Sequence, residues 1–214
     1  MRNKKFSYTV KEEFGNTLTH SIGVILSIIG AFIIIIDAYI YNNSLLDIVA
    51  SIIFSCSLLV MYSTSTLYHF IKKRKVKKLF QKLDHCAIYI LIAGSYTPFT
   101  LITLHNHSGI QLFIFIWLLA IIGIFIENST LKNSFYLSMI LYIVMGWSIL
   151  AFFQPLYNLL DIHGLYLLIL GGLFYTFGII FFVWQKIPYN HTIWHIFVLG
   201  GSISHYFAIL NYVI

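Results

Sequence analysis

The sequence predicts an all-α integral membrane protein, a bundle of seven transmembrane helices with a cytoplasmic N-terminus and an external C-terminus. Three observations predict this fold class: an apolar composition, seven long apolar segments, and positive charge confined to one side. Of the 214 residues, 59% are hydrophobic and only 9% are charged. A soluble globular domain contains about 25% charged residues, so the composition excludes a water-soluble enzyme.

Seven apolar segments are long enough to cross a bilayer, which takes about 20 residues per helix. The segments between them are short, so we treat residues 1–214 as a single membrane domain and residues 1–19 as a cytoplasmic N-terminal segment. The alternating pattern of a membrane β-barrel, with strands of about ten residues, is not present. The predicted spans lie at about 20–40, 47–70, 84–104, 110–126, 132–153, 162–184 and 191–213.

Positive charges predict the orientation, because cytoplasmic loops of membrane proteins carry an excess of lysine and arginine. With the N-terminus inside, all 13 basic residues fall in cytoplasmic segments and the external loops carry none. We therefore predict that the N-terminus is inside and the C-terminus outside. The basic residues are Arg2, Lys4, Lys5, Lys11, Lys72, Lys73, Arg74, Lys75, Lys77, Lys78, Lys82, Lys132 and Lys186.

The segment Lys72–Lys82 holds seven of these charges, and Val76, Leu79, Phe80 and Leu83 repeat along it at helical spacing. Its plainest interpretation is a topology determinant that also extends the second helix. The alternative is an amphipathic helix that lies on the inner membrane surface against anionic lipid head groups. Nucleic-acid binding is a poor explanation, because the segment lies directly between two predicted spans.

Ionisable side chains inside a membrane are costly and are candidates for functional sites. His69 ends the second predicted span, Asp84 begins the third, and His191 and His195 begin the seventh, all at the inner side. Two histidines four residues apart face the same point, about 6 Å apart along the helix. Three imidazoles with an open position for water are a common catalytic zinc arrangement. The pattern therefore predicts a metal site of His69, His191 and His195, where Asp84 holds the water or acts as its base.

Four more polar residues lie close to this predicted site along the chain. Ser65 lies one turn before His69, and it either faces the site or satisfies a helix carbonyl. His20, Asn16 and Glu13 follow one another at about one-turn spacing, which places them for contacts around the metal ligands. A solvated helix start explains these three residues almost as well.

Two other histidines and a proline have different interpretations. His85 is expected to point about 100° away from Asp84 around the third helix. His205 lies about 21 Å beyond His191, in the outer half, where we expect an interhelical hydrogen bond. Pro98 interrupts the third span, and a proline there frees a carbonyl and kinks the helix.

Taken in chain order, the singled-out residues form a set of motifs that resembles the hemolysin III family, the bacterial branch of the progestin and adipoQ receptor family. The resemblance covers residues 12–213 and implies a seven-helix bundle with a cytoplasmic N-terminus. The motifs are Glu13-x-x-Asn16-x-x-Thr19-His20-x-x-Gly23, Ser65-x-x-Tyr68-His69, Asp84-His85, Ala93-Gly94-Ser95-Tyr96-Thr97-Pro98-Phe99, His191-x-x-Trp194-His195 and His205-Tyr206.

The resemblance implies zinc held by His69, His191 and His195, with Asp84 holding a zinc-bound water and Ser65 lining the site. The wider superfamily, which includes alkaline ceramidases, is proposed to contain metal-dependent hydrolases of lipid amides. We therefore expect a multi-pass protein of the bacterial cytoplasmic membrane that hydrolyses a lipid-like amide or ester. Two alternatives stay open: a non-enzymatic sensor or regulator of membrane homeostasis with structural zinc, and the cytolytic protein that the family name suggests.

Overall fold

The computed structural model describes residues 8–42, 44–129 and 135–214. Within these ranges, seven helical segments are long and apolar enough to cross a membrane, so the predicted all-α bundle of seven membrane-spanning helices is confirmed. A 3₁₀ turn at Ser148–Phe152 joins two of the helices into the fifth span. The helices are α1 (Val10–Asp37), α2 (Leu45–Phe70), α3 (Arg74–Pro98), α4 (Gly109–Asn128), α5 (Phe135–Trp147), α6 (Phe153–Leu159), α7 (Ile162–Val183) and α8 (Asn190–Tyr212).

Helix α1 begins at Val10, ten residues before the first predicted span. A capping box explains this start, since the Glu12 backbone N–H donates to the Thr9 hydroxyl and the Thr9 backbone N–H donates to the Glu12 carboxylate. Such a cap satisfies backbone donors that the helix cannot satisfy itself. The additional turns place Glu13, Asn16 and His20 on an ordered helix that packs against α2 and α8.

The basic segment Lys72–Lys82 begins α3 instead of extending α2, so that part of the prediction is wrong. Helix α2 ends at Phe70 because Ile71 adopts an extended backbone conformation, with φ −74° and ψ 126°. The chain reverses within three residues, and α3 then runs from Arg74 into the third span without a break. A continued α2 would carry these residues away from the bundle, whereas the reversal packs α3 along α2.

Helix α3 is the most buried of the spans and lies at the centre of the bundle. Its approach to α2 is close at Gly94, where an added Cβ atom would lie 2.3 Å from the Cβ atom of Ser57. Small residues at such contacts allow membrane helices to pack backbone against backbone. Gly94 is therefore needed for space rather than for backbone conformation.

Pro98 ends the α-helical part of α3, which agrees with the disruption predicted there. A π-helical turn at Phe99–Thr103 follows, in which the Leu104 backbone N–H donates to the Phe99 carbonyl at 2.8 Å. Because proline has no backbone N–H, the hydrogen-bond ladder is rearranged around it. The wider turn completes the third span.

His205 joins α8 to α7, and the predicted interhelical hydrogen bond is confirmed. Its Nε2 atom donates to the Leu168 carbonyl oxygen at 3.2 Å. Gly171 leaves room for the imidazole, since a Cβ atom there would lie 2.1 Å from the His205 ring.

The outer surface of the bundle is apolar. Phe32 on α1, Phe125 on α4 and Phe177 on α7 are each more than half exposed, among many exposed isoleucines and leucines. A surface of this kind is suited to hydrocarbon rather than water. The spans therefore contact the lipid bilayer.

Lys72 and Lys73 follow the end of α2, which carries His69. Lys186 precedes the start of α8, which carries His191. The cytoplasmic location of this end stays a prediction. Four of the charges on which it depends, Arg2, Lys4, Lys5 and Lys132, lie outside the described residues.

We expect Gly94→Ala to lower the free energy of unfolding by about 1–3 kcal/mol, because the new methyl group overlaps Ser57 on α2. Gly146→Ala is the matched control, since in the described parts of the chain nothing beyond its own helix lies within 4 Å of the added Cβ atom. The measurement is denaturant-induced unfolding of both variants in detergent micelles. Equal unfolding midpoints for the two variants would contradict this packing of α2 on α3.

Candidate metal centre

Three histidines meet at one end of the bundle, and we call His69, His191 and His195 the histidine cluster. One ring nitrogen from each lies within 4.8 Å of the others. All three side chains are buried, with exposed fractions of 3%, 8% and 1%. The predicted ligands are thus brought together, and the cluster is able to hold a metal ion.

The ends of two helices position the cluster. His69 lies in the last turn of α2, and His191 and His195 lie in the first two turns of α8. Tyr189 turns the chain into α8 with a left-handed backbone (φ 56°), and its N–H donates to Glu12 on α1 at 3.2 Å. The ligands therefore come from α2 and α8, while α1 fixes the start of α8.

Helix α1 accepts hydrogen bonds from two imidazoles of the cluster, those of His69 and His195. His69 Nδ1 donates to Glu13 Oε2 at 2.6 Å, and His195 Nδ1 donates to the Asn16 backbone oxygen at 3.2 Å. The Thr192 hydroxyl donates to Asn16 Oδ1 at 2.6 Å, which fixes that side chain. Glu13 and Asn16 therefore contact His69 and His195, and their role around a metal stays a prediction.

The donor set of the cluster fits a divalent metal ion. Nδ1 of His69 and Nδ1 of His195 donate hydrogen bonds. The nitrogen on each of these rings that can bind a metal ion is therefore Nε2. Within the described ranges, Nε2 of His69 and of His191 is buried without a hydrogen-bond partner. Metal-binding histidines typically donate their other N–H to a carboxylate or a backbone carbonyl, which is the arrangement observed for His69 and His195.

Asp84 and Ser65 line a cavity of about 60 Å³ together with His191 and His195. Their exposed fractions are 7% and 1%. Asp84 Oδ1 and Ser65 Oγ make no close hydrogen bond among the residues that the structure describes, although the two side chains interact with each other. Leaving buried oxygens unpaired is unfavourable, so the two side chains are suited to a polar molecule in this cavity.

His20 contributes differently from Glu13 and Asn16. Its ring stacks on the His195 ring, with the centroids 3.5 Å apart. Both of its nitrogens are buried and make no hydrogen bond in the described part of the chain. His20 thus packs against a proposed ligand instead of hydrogen bonding to it.

The sequence analysis did not assign Tyr8 or Lys77 to the site. Tyr8 stacks on His191, with ring centroids 5.0 Å apart, and it lines the cavity. Lys77, from the basic segment, donates to Glu13 Oε1 at 2.9 Å and to the Tyr68 carbonyl at 2.9 Å. Tyr8 precedes the first helix, so helical spacing gave no signal. Lys77 is one of seven basic residues in the segment Lys72–Lys82, and the sequence does not distinguish it from the other six.

His85 contacts α4, as its separation from Asp84 around the helix requires. Its Nδ1 atom donates to Glu127 Oε1 at 3.0 Å. However, His85 also lines the cavity that contains Asp84. The sequence analysis assigned neither His85 nor Glu127 to the site.

Comparison with known proteins agrees with this architecture. The chain matches the family described as haemolysin-III related over residues 8–206. It is 48% identical over 205 residues to Hemolysin-3 of Bacillus cereus, covering 96% of this chain and 93% of that protein. It is 45% identical to the Hemolysin-3 homolog of Bacillus subtilis (strain 168), covering 96% of each.

A more distant relative is the human monocyte to macrophage differentiation factor. The identity is 27% over 219 residues, covering 98% of this chain and 88% of that protein. The bacterial relatives and the seven spans together fit a multi-pass protein of a bacterial cell membrane.

We expect purified protein to bind about one divalent metal ion per chain and His191→Ala to lose it, because two imidazoles hold such an ion poorly. His163→Ala, at an exposed histidine paired with Asp161, is the control and should retain the metal. Elemental analysis of the dialysed proteins by mass spectrometry measures both. Full metal content in His191→Ala would show that the cluster is not the binding site.

Proposed function

We propose that this chain, which belongs to the haemolysin-III-related family, is a membrane-embedded zinc hydrolase that cleaves a lipid-like amide or ester. His69, His191 and His195 would hold the zinc, and Asp84 and Ser65 would act on the substrate and water. When bound, zinc supplies a Lewis acid that polarises a carbonyl group and makes water nucleophilic at neutral pH.

The main support for this proposal is that the predicted ligand set consists of three histidines. Within the described ranges, the group suited to a metal consists of three residues, all histidines. Structural zinc sites in proteins are almost always closed by four protein ligands, whereas catalytic sites have three and an open position. A three-histidine set next to a buried carboxylate therefore favours chemistry over a purely structural ion.

Asp84 is the candidate general base. Its carboxylate is buried beside the cluster, with one oxygen that makes no close hydrogen bond among the described residues. A general base must lie in the reaction cavity and be able to accept a proton from water. Ser65 lines the same cavity, and its hydroxyl is able to donate a hydrogen bond to a substrate carbonyl oxygen. Glu13 and Asn16 keep the imidazoles of His69 and His195 in a fixed orientation.

A second, apolar cavity supports a lipid-like substrate. It has a volume of about 110 Å³ and shares Met61, Ile88, Phe182 and Trp194 with the cavity of the cluster. Its further lining comes mainly from apolar side chains of α3, α5 and α7. A substrate with its amide or ester at the cluster and its hydrocarbon in this second cavity would bury both parts in matching surroundings.

Asp84→Asn is expected to retain zinc and to lower turnover about 10²–10⁴-fold, since an amide side chain cannot accept a proton from water. Asp161→Asn, at an exposed carboxylate, is the control. The assay is hydrolysis of a fluorogenic fatty-acyl anilide by protein in lipid vesicles. Unchanged turnover in zinc-loaded Asp84→Asn would exclude Asp84 as the base. No turnover by the zinc-loaded wild-type protein would overturn the hydrolase and leave an ion that joins α2 to α8.

Cytolysis is a second candidate function, favoured by the name of the Bacillus cereus relative, Hemolysin-3. The exposed apolar faces of the spans argue against a toxin released in soluble form. We expect detergent-solubilised protein to release no more haemoglobin from red cells than its matched detergent buffer. Concentration-dependent release that persists in Asp84→Asn would instead support a lytic activity independent of hydrolysis.

A further inference from the structure

A second ionisable pair lies beside the proposed site and has no role in it so far. Glu127, near the end of α4, has an exposed fraction of only 3%. His85 Nδ1 donates to its Oε1 atom at 3.0 Å, and the Ser138 hydroxyl donates to its Oε2 atom at 3.4 Å. A buried carboxylate in a membrane bundle is costly and is retained where it is paired and functional.

His85 contacts this carboxylate and also reaches the cavity of the histidine cluster. His85 lines that cavity together with Asp84 and Ser65. Nδ1 of His85 donates to Glu127. Nε2, on the opposite side of the ring, is therefore the nitrogen that would act on a substrate. The Tyr142 hydroxyl donates to the His85 carbonyl oxygen at 3.0 Å, which fixes the backbone at this position.

A carboxylate on one imidazole nitrogen fixes the tautomer and stabilises the imidazolium, so that the other nitrogen can exchange a proton with substrate. The proposed hydrolysis needs such a group. Asp84 takes a proton from water, but the departing nitrogen or oxygen of the substrate must gain one. An alkylamine leaves very slowly as an anion, so proton donation to it is a requirement of amide cleavage.

We propose that His85 is the general acid of this reaction and that Glu127 is its positioning residue, an inference that rests on the proposed hydrolase function. The oxygen of water bonds to the carbonyl carbon while the carbonyl π electrons move onto the carbonyl oxygen, and one water proton passes to Asp84. Those electrons re-form the double bond as the leaving group departs. The bond from carbon to the leaving nitrogen then breaks, its electron pair stays on nitrogen, and His85 Nε2 gives that nitrogen a proton. The proton held by Asp84 replaces the one lost by His85, so both side chains return to their starting states.

The test compares two substrates with the same fatty-acyl chain, an N-alkyl amide and a p-nitrophenyl ester. p-Nitrophenolate leaves without a proton, so loss of a general acid affects the amide alone. We expect His85→Gln to lower kcat/KM for the amide about 10²–10³-fold and for the ester less than about 3-fold. Zinc content should be unchanged, because His85 is not a ligand.

Glu127→Gln provides an independent variant in case His85→Gln does not fold. It keeps an acceptor for Nδ1 but removes the charge, so the amide should slow about 10-fold and the ester stay unchanged. Glu127→Asp should restore part of the amide rate. His163→Gln is the matched control, since His163 pairs with Asp161 at the same 3.0 Å but in exposed positions.

Each unfavourable outcome has a distinct meaning. Equal losses on both substrates, or loss of zinc in His85→Gln, would overturn the general acid and assign His85 a structural role. Unchanged amide cleavage in His85→Gln would also overturn the general acid, because another group then gives the leaving nitrogen its proton. A zinc-loaded wild-type protein that cleaves neither substrate would overturn the proposed hydrolase itself, and that failure appears before any variant is compared.

Discussion

The arrangement of this bundle depends on the need to pair buried polar groups inside an apolar medium. Imidazoles and carboxylates within membrane-spanning helices find no water there, so their partners must come from other helices. The His69–Glu13 and His195–Asn16 hydrogen bonds meet this need and tie α1 to α2 and α8. They require α1 to extend beyond its apolar part, which the capping box at Thr9 provides.

The same requirement explains why polar residues are concentrated at one end of the bundle. Lys77 connects the charged start of α3 to Glu13, and Glu13 connects to His69. Two contacts, Lys77–Glu13 and Glu13–His69, therefore connect the exposed basic segment to a buried imidazole. Beyond it the helices contact each other mainly through apolar and small residues, and the apolar cavity between α3, α5 and α7 adjoins this polar end.

The hydropathy and charge of the sequence predicted the number of spans. The depth of His69, His191 and His195 along their spans predicted the histidine cluster. Hydropathy did not predict that α1 begins at Val10 or that the basic segment begins α3, since caps and chain reversals depend on backbone hydrogen bonds. Helical spacing related His191 to His195 but did not reveal contacts between helices. For that reason the pairing of His85 with Glu127, 42 residues apart, was absent from the predicted site.

The proposed ligands and the proposed proton-transfer groups lie on different helices. The histidines belong to α2 and α8, whereas Asp84 and His85 belong to α3, which packs against α2 through the close contact at Gly94. A tilt or axial shift of α3 would displace the acid and base without removing a ligand. For the proposed hydrolase, the rate would then change without loss of the metal ion, and bilayer thickness, which acts on helix tilt, would tune the rate of the proposed reaction.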